Sequence, residues 1–335
     1  MYCDFLNALF ERILFMFKFW RFTPVALVLA LAVGSFAISY AQESAPKVQL
    51  PADTQALIRF NFRAMIDSPL AKKMGIEKAS EVIKNVPGGE ILAEMGFDPL
   101  KDIDSITIAA PGGGDMEKGL IIVVGKFKAD KLVAKANEEA KNNKDKVKTH
   151  KAGDKTIFEV IIPDQQVPMF MMIASNSTIL ASTQKDYLEK TLANSGSKLA
   201  NKDFSALVEK LDPNLAISMV AVSSAFPSKA IPEPAKAIIE GIDSIGGGIG
   251  VDKDVTLSVN VFTKDEDSAK KLKETMDQGM AQALGFLGLM AAQQKELTPV
   301  LEFVKSMKTS SKAKMMSLEG KLPGKMIEDA VLGSK

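Results

Sequence analysis

The chain carries one pattern twice. Ile103 to Lys141 reads IDSITIAAPGGGDMEKGLIIVVGKFKADKLVAKANEEAK, and Ile242 to Gln278, about 139 residues later, reads IDSIGGGIGVDKDVTLSVNVFTKDEDSAKKLKETMDQ. Each copy runs strand, glycine-rich turn, strand, helix. A period of that length is one supersecondary unit repeated, and it narrows the fold more than any single residue does. Period-two apolar alternation marks the strands and a 3.6-residue stripe marks the helices. The pattern predicts an α+β protein of two similar tandem units, each an antiparallel sheet with helices packed on one face.

The first unit is expected at residues 51–200 and the second at 201–335. In the first, Ala56 to Phe62 alternates Leu57, Arg59 and Asn61 against Ile58, Phe60 and Phe62, a half-buried strand with Arg59 solvated. A Pro-broken helical stretch with a Pro87-Gly88-Gly89 turn leads to the hairpin. A helix over 128–142, a lysine-rich turn over 141–151, strands within 156–162 and 169–183, and a helix over 185–194 follow. A linking helix spans 201–211. Leu215 to Val222 then takes the place of Ala56 to Phe62, and a second hairpin covers 244–262. Helices at 265–294 and 297–307, strands within 312–321 and a closing helix at 323–331 complete the chain. Whether the two sheets pack side by side or merge is left open by the spacing.

The N-terminus belongs to neither unit. Thr23 to Ala37 is an uncharged apolar run preceded by Lys18 and Arg21 and followed by Ser39-Tyr40-Ala41. That is the plan of a secretory signal peptide over residues 1–41, with a polar linker at 42–50; an uncleaved anchor is the rival reading. Met16 is an alternative start to Met1. Cys3 precedes the apolar run, so it is not a lipoprotein cysteine. Removing Arg12, Lys18, Arg21, Asp4 and Glu11 from 42 basic and 41 acidic residues leaves 39 of each. A neutral chain lacks the basic surface that nucleic acid requires. The expected location is periplasmic or secreted, with no transmembrane helix once the signal is removed. The one cysteine leaves with the signal, so thiol chemistry leaves too.

No catalytic, cofactor-binding or metal residue is predicted. Gly112-Gly113-Gly114 and Gly246-Gly247-Gly248 lack the Lys-Ser/Thr of a phosphate loop and read as a hairpin tip and a close backbone approach. His150, the one histidine, has no second imidazole or thiol with which to share a metal. Asp252-Lys253-Asp254 reads as a turn, and Asp265-Glu266-Asp267 as a helix N-terminus, where negative charge is favoured.

Gly279 to Ala292, GMAQALGFLGLMAA, is almost wholly apolar around its circumference and too short to cross a bilayer. It is expected either as a helix buried between the units or in a homodimer contact, or as a surface for a hydrophobic ligand or membrane. Met276, Met280, Leu284, Phe286, Leu287 and Met290 are the residues that would line that surface or interface. The openings PADTQALIRFNF and FDPLKDIDSITIAA, with the paired hairpins, resemble duplicated secreted bacterial proteins of unknown function. The resemblance implies an exported, non-catalytic α+β protein and transfers no functional residue. Function is therefore expected to be non-enzymatic binding or structure in the cell envelope, with an envelope protein or a hydrophobic ligand as partner. A carrier or sensor of a hydrophobic ligand is the alternative, and a carboxylate-based hydrolase a further one.

Overall fold

Strands with apolar side chains gain stability by covering them, and where helices supply that cover shapes the molecule. The computed structural model describes residues 50–75, 98–113, 118–161, 167–193, 198–226, 235–294 and 297–332. The expected signal peptide with Cys3 and Met16, nearly all of the expected linker, and the expected Pro87-Gly88-Gly89 turn lie outside these residues.

Twelve strands form one antiparallel sheet. The first seven are β1 (Thr54–Asn61), β2 (Ile103–Pro111), β3 (Leu120–Gly125), β4 (Val147–Ala152), β5 (Lys155–Val160), β6 (Met169–Ser175) and β7 (Thr178–Ser182). The remainder are β8 (Ile217–Val222), β9 (Ile242–Val251), β10 (Val255–Thr263), β11 (Lys308–Lys312) and β12 (Met315–Leu322). Their order is β11-β12-β10-β9-β8-β1-β2-β3-β7-β6-β5-β4. Outward from the β1–β8 pair, β1-β2-β3-β7 on one side is matched by β8-β9-β10-β12 on the other. The pair is antiparallel, with Ile58 opposite Met219.

The described helices are α1 (Phe62–Ile66), α2 (Pro69–Lys73), α3 (Pro99–Asp102), α4 (Ala129–Asn142), α5 (Lys185–Ala193), α6 (Lys202–Glu209), α7 (Ala235–Glu240), α8 (Glu266–Gln293), α9 (Thr298–Ser306) and α10 (Gly324–Leu332). Side-chain caps set several starts. Ser68 accepts from Ala71 N–H before Pro69, Asn201 accepts from Phe204 N–H at 3.0 Å, and Asp265 accepts from Ser268 N–H at 2.7 Å.

One face of the sheet packs against α8. Ala221, Ile245, Leu257, Val259, Val261, Met316 and Leu318 meet Leu272, Met276 and Met280 there. The opposite face meets α6 and α5: Leu57, Val220 and Val222 pack with Phe204, and Leu120, Ile122, Val124 and Leu180 with Tyr187 and Leu188. Neighbouring residues such as Val220 and Ala221 thus enter different cores. The α+β class follows the sequence, whereas the helices expected on one face take both.

Two further differences have physical causes. The lysine-rich stretch read as a turn holds an edge strand, β4, in which Lys148 and Lys151 are exposed. Lysines on an edge strand oppose pairing with a second sheet, and they mask the strand's alternation. In β9 the glycines serve close approach: a Cβ at Gly248 would lie 2.1 Å from Ile217 O.

Phe204 is fully buried over Leu57 of β1 and Val220 of β8, the two strands that join the halves. Phe204→Ala is expected to lower unfolding free energy by about 3–5 kcal/mol, the range for a buried Phe truncation, in urea titrations followed by circular dichroism.

Candidate functional site

At about 1.5 Å per residue, the 28 residues of α8 extend about 42 Å, whereas the nine of β10 extend about 30 Å. The helix is longer than the strands it packs on. Its N-terminal part buries Ala269, Leu272, Met276 and Met280 at three- and four-residue spacing, and beyond Met280 none of its residues is buried. Helix α9 packs along α8 and over β12.

The six residues singled out in the sequence are therefore divided. Met276 and Met280 are core, packed on the sheet. Leu284, Leu287 and Met290 continue the same stripe and are half-buried. Phe286 is 63% exposed, and Leu289, one turn on and not among the six, is 73% exposed. Val300 on α9 is 45% exposed. The expectation that Gly279 to Ala292 is buried between the units is overturned. The helix outruns its support, and no apolar count along one segment can report how far a sheet extends beneath it.

The tip is uncharged. From Gln278 to Gln294 no residue bears charge. The last charged group before it is Asp277, whose carboxylate takes an ion pair from Lys273 at 2.5 Å and a hydrogen bond from the Thr309 hydroxyl. Lys273 first, then Thr309, holds that carboxyl below the usual range. A Cβ at Gly279, Gly285 or Gly288 would meet nothing within 4 Å. Each interior glycine costs a helix about 1 kcal/mol against alanine, and packing inside this chain requires none of the three.

A second apolar surface went unnoticed in the sequence. On the α8 side of the sheet, Ile58, Ile108 and Ile121 lie opposite one another across β1, β2 and β3. Phe60, Ile106, Val123 and Ile179 form the next row across β1, β2, β3 and β7. All seven are half-buried, while Leu57, Leu120, Ile122 and Leu180 on the reverse are fully buried. Alternation revealed the two faces; which one closes depends on helices distant in sequence.

The groups that looked chemical are in structural partnerships. His150 Nε2 lies 2.7 Å from Glu159 Oε2 on the neighbouring strand, and His150 first, then Lys148, draws the Glu159 carboxyl down. The histidine is in an edge strand rather than a turn. Tyr187 donates to Asp53 at 2.9 Å, and burial first, then that carboxylate, raises its phenol far above the ordinary range. Arg63 donates to Leu100 O and Ile103 O and pairs with Asp104 at 3.1 Å. Among the described residues no three His, Cys, Asp or Glu side chains gather into a metal-binding group, and no helix is long and apolar enough to cross a membrane.

No protein-family model matches the chain, and no curated protein matches it. Among solved structures, crystal form I of TP0453 is similar at 7% identity and a TM-score of 0.45, over 87% of this chain and 97% of that one. Crystal form IV of TP0453 gives 7% identity and a TM-score of 0.46, over 85% and 94%. No functional residue is transferred from either.

Asp254 stands at the β9–β10 turn, where it accepts from Gly324 N–H at the start of α10 at 2.9 Å and pairs with Lys321 at 2.7 Å. Lys321 first, then the Gly324 amide, holds its carboxyl below the usual range. A depressed carboxylate stabilises the fold above its unfolded pKa of about 4, and that stabilisation is lost as pH falls through the lower folded value. Asp254→Asn is expected to be less stable than wild type by about 1 kcal/mol at neutral pH, with the gap closing in acid, in urea titrations across that range. Gly285→Ala is expected to raise stability by about 0.5–1 kcal/mol in the same assay, since the glycine serves no internal contact.

Proposed function

We propose that the chain is an exported, non-catalytic binding protein of the cell envelope, and that it holds its partner by apolar contact at the α8–α9 tip. The observation that carries the reading is the tip itself. Phe286 and Leu289 stand one turn apart, largely exposed, on a segment without charge that is fixed to a twelve-stranded sheet. Apolar side chains exposed together in this way mark an interaction surface more often than a solvated one. Gly285 and Gly288 keep the helix surface low and allow close approach. Export rests on the signal-peptide pattern of residues 1–41. Descent of the two halves from one copied module is part of the same proposal, supported by the paired hairpin sequences and the matched strand order about β1–β8.

A second reading is favoured by the seven half-buried Ile, Val and Phe side chains on the α8 side of β1, β2, β3 and β7. They would hold a hydrophobic ligand such as an acyl chain, making the protein a carrier or sensor.

The test combines Phe286→Ser and Leu289→Ser in the full chain, with circular dichroism confirming the fold. Wild type is expected either to co-sediment with phosphatidylcholine vesicles or to self-associate in sedimentation velocity, and the double variant to do neither. Wild type that does neither, or a variant that matches it, overturns the tip as the contact. A bound lipid retained in native mass spectrometry by both proteins would favour the second reading.

A further inference from the structure

A cation without a partner among the described residues lies at the junction of the two halves. Arg59 is in β1, directly opposite Thr107 of β2 and Ser218 of β8. Ser218 is opposite Gly248, Gly248 opposite Ser258, and Ser258 opposite Glu319. Residues directly opposed across an antiparallel sheet share a face. Thr107, Arg59, Ser218, Gly248, Ser258 and Glu319 therefore form one polar row across six strands. The next row, Ala109, Leu57 and Val220, is buried where Leu57 and Val220 pack with Phe204. Ser218 and Ser258 are themselves buried, so the row is part of the packed sheet and not a frayed margin.

Arg59 was expected in solvent. Instead it is half-buried, and its Nε is sealed from solvent without a hydrogen bond. Among the described residues it has no ion pair or hydrogen bond, whereas Arg63, four residues on, donates through Nη2 to Leu100 O and Ile103 O and pairs with Asp104, although its Nε too is buried without a hydrogen bond. Burial lowers its pKa, and no acid among the described residues offsets the loss of water. A desolvated, uncompensated charge is destabilising, and Met would fill the same space without that cost. Arginine is also the side chain whose planar fork matches an oxyanion in two parallel hydrogen bonds.

We propose that Arg59, flanked by the Thr107 and Ser218 hydroxyls, is the anchor for the oxyanion group of a small ligand, a carboxylate or a phosphate. The site is on the face opposite α8 and does not depend on the tip. Its chemistry is charge-assisted hydrogen bonding without bond making or breaking. A free phosphate and the head of an amphiphilic carboxylate share this chemistry, and the probes separate them.

The chain has only four arginines, Arg12, Arg21, Arg59 and Arg63, so its arginine side-chain Nε–H spectrum is readily assigned by Arg59→Lys. The full-length protein is titrated with inorganic phosphate and, separately, with octanoate. The Arg59 signal is expected to shift and saturate with one of them while Arg63 stays still, and the one that saturates identifies the source. Arg59→Met is expected to unfold no earlier than wild type on heating and to bind the same probe more weakly by about tenfold or more, in line with loss of a charge-assisted pair. A flat response to both probes, parallel drift of Arg59 and Arg63, or undiminished binding by folded Arg59→Met overturns the proposal. If Arg59→Met does not fold, the wild-type titration alone decides.

Discussion

The antiparallel pairing of β1 with β8 is the contact on which the architecture depends. Ala56 to Phe60 meets Ala221 to Ile217 in unbroken register, and Asn61 N–H extends it to Ala216 O at 2.7 Å. Without it each half would present a central apolar strand as an open edge, a template for aggregation. With it the two sheets become one of twelve strands, and the remaining edges are β4 and β11. Both carry exposed lysines: Lys148 and Lys151 on β4, Lys308 and Lys312 on β11. Contacts beyond the sheet tie the halves further. Leu70 N–H of α2 donates to Asp252 O at 3.0 Å, and Lys73 pairs with Glu328 of α10 at 3.0 Å.

A merged sheet has two continuous faces, and the halves use them differently. Near β3 both faces are apolar: Ile122 and Leu180 are sealed against α5, while Ile121 and Val123 behind them remain half-buried. Near β10 the side facing α8 carries Leu257, Val259 and Val261, and the reverse carries Thr256, Ser258 and Asn260. Arg59 stands at the border between these regimes. Small polar side chains and glycines line the reverse face, and the arginine stands beside them with no acid partner among the described residues. The same sheet therefore supports an apolar tip on one side and, among the described residues, an unpaired cation on the other.

Legibility in the sequence followed the range of the forces involved. The hairpins, the Asp265 cap, the turn at Asn176-Ser177 and the alternation in β8 are near-neighbour effects, and the residues announce them. The strand β4 was hidden because Lys148, His150 and Lys151 read as a charged turn until Glu159 on β5 is seen beside them. Of the six residues singled out, Met276 and Met280 belong to the core and Phe286 is at the surface, while the exposed Leu289 was not among them. A uniformly apolar helix has no intrinsic inward side, so its exposed side is chosen by whatever lies beneath it.

From the chain alone came the α+β class, the two hairpins and most element positions, because these follow from local periodicity and turn chemistry. Only the tertiary structure decided that two sheets become one, that helices occupy both faces, that α8 outruns its strands to expose Phe286 and Leu289, and that Arg59 lies half-buried with no acid partner among the described residues. Those outcomes depend on which strands pair across about 160 residues of chain and on relative element lengths, and a burial that arises between distant segments leaves no periodic trace in either of them.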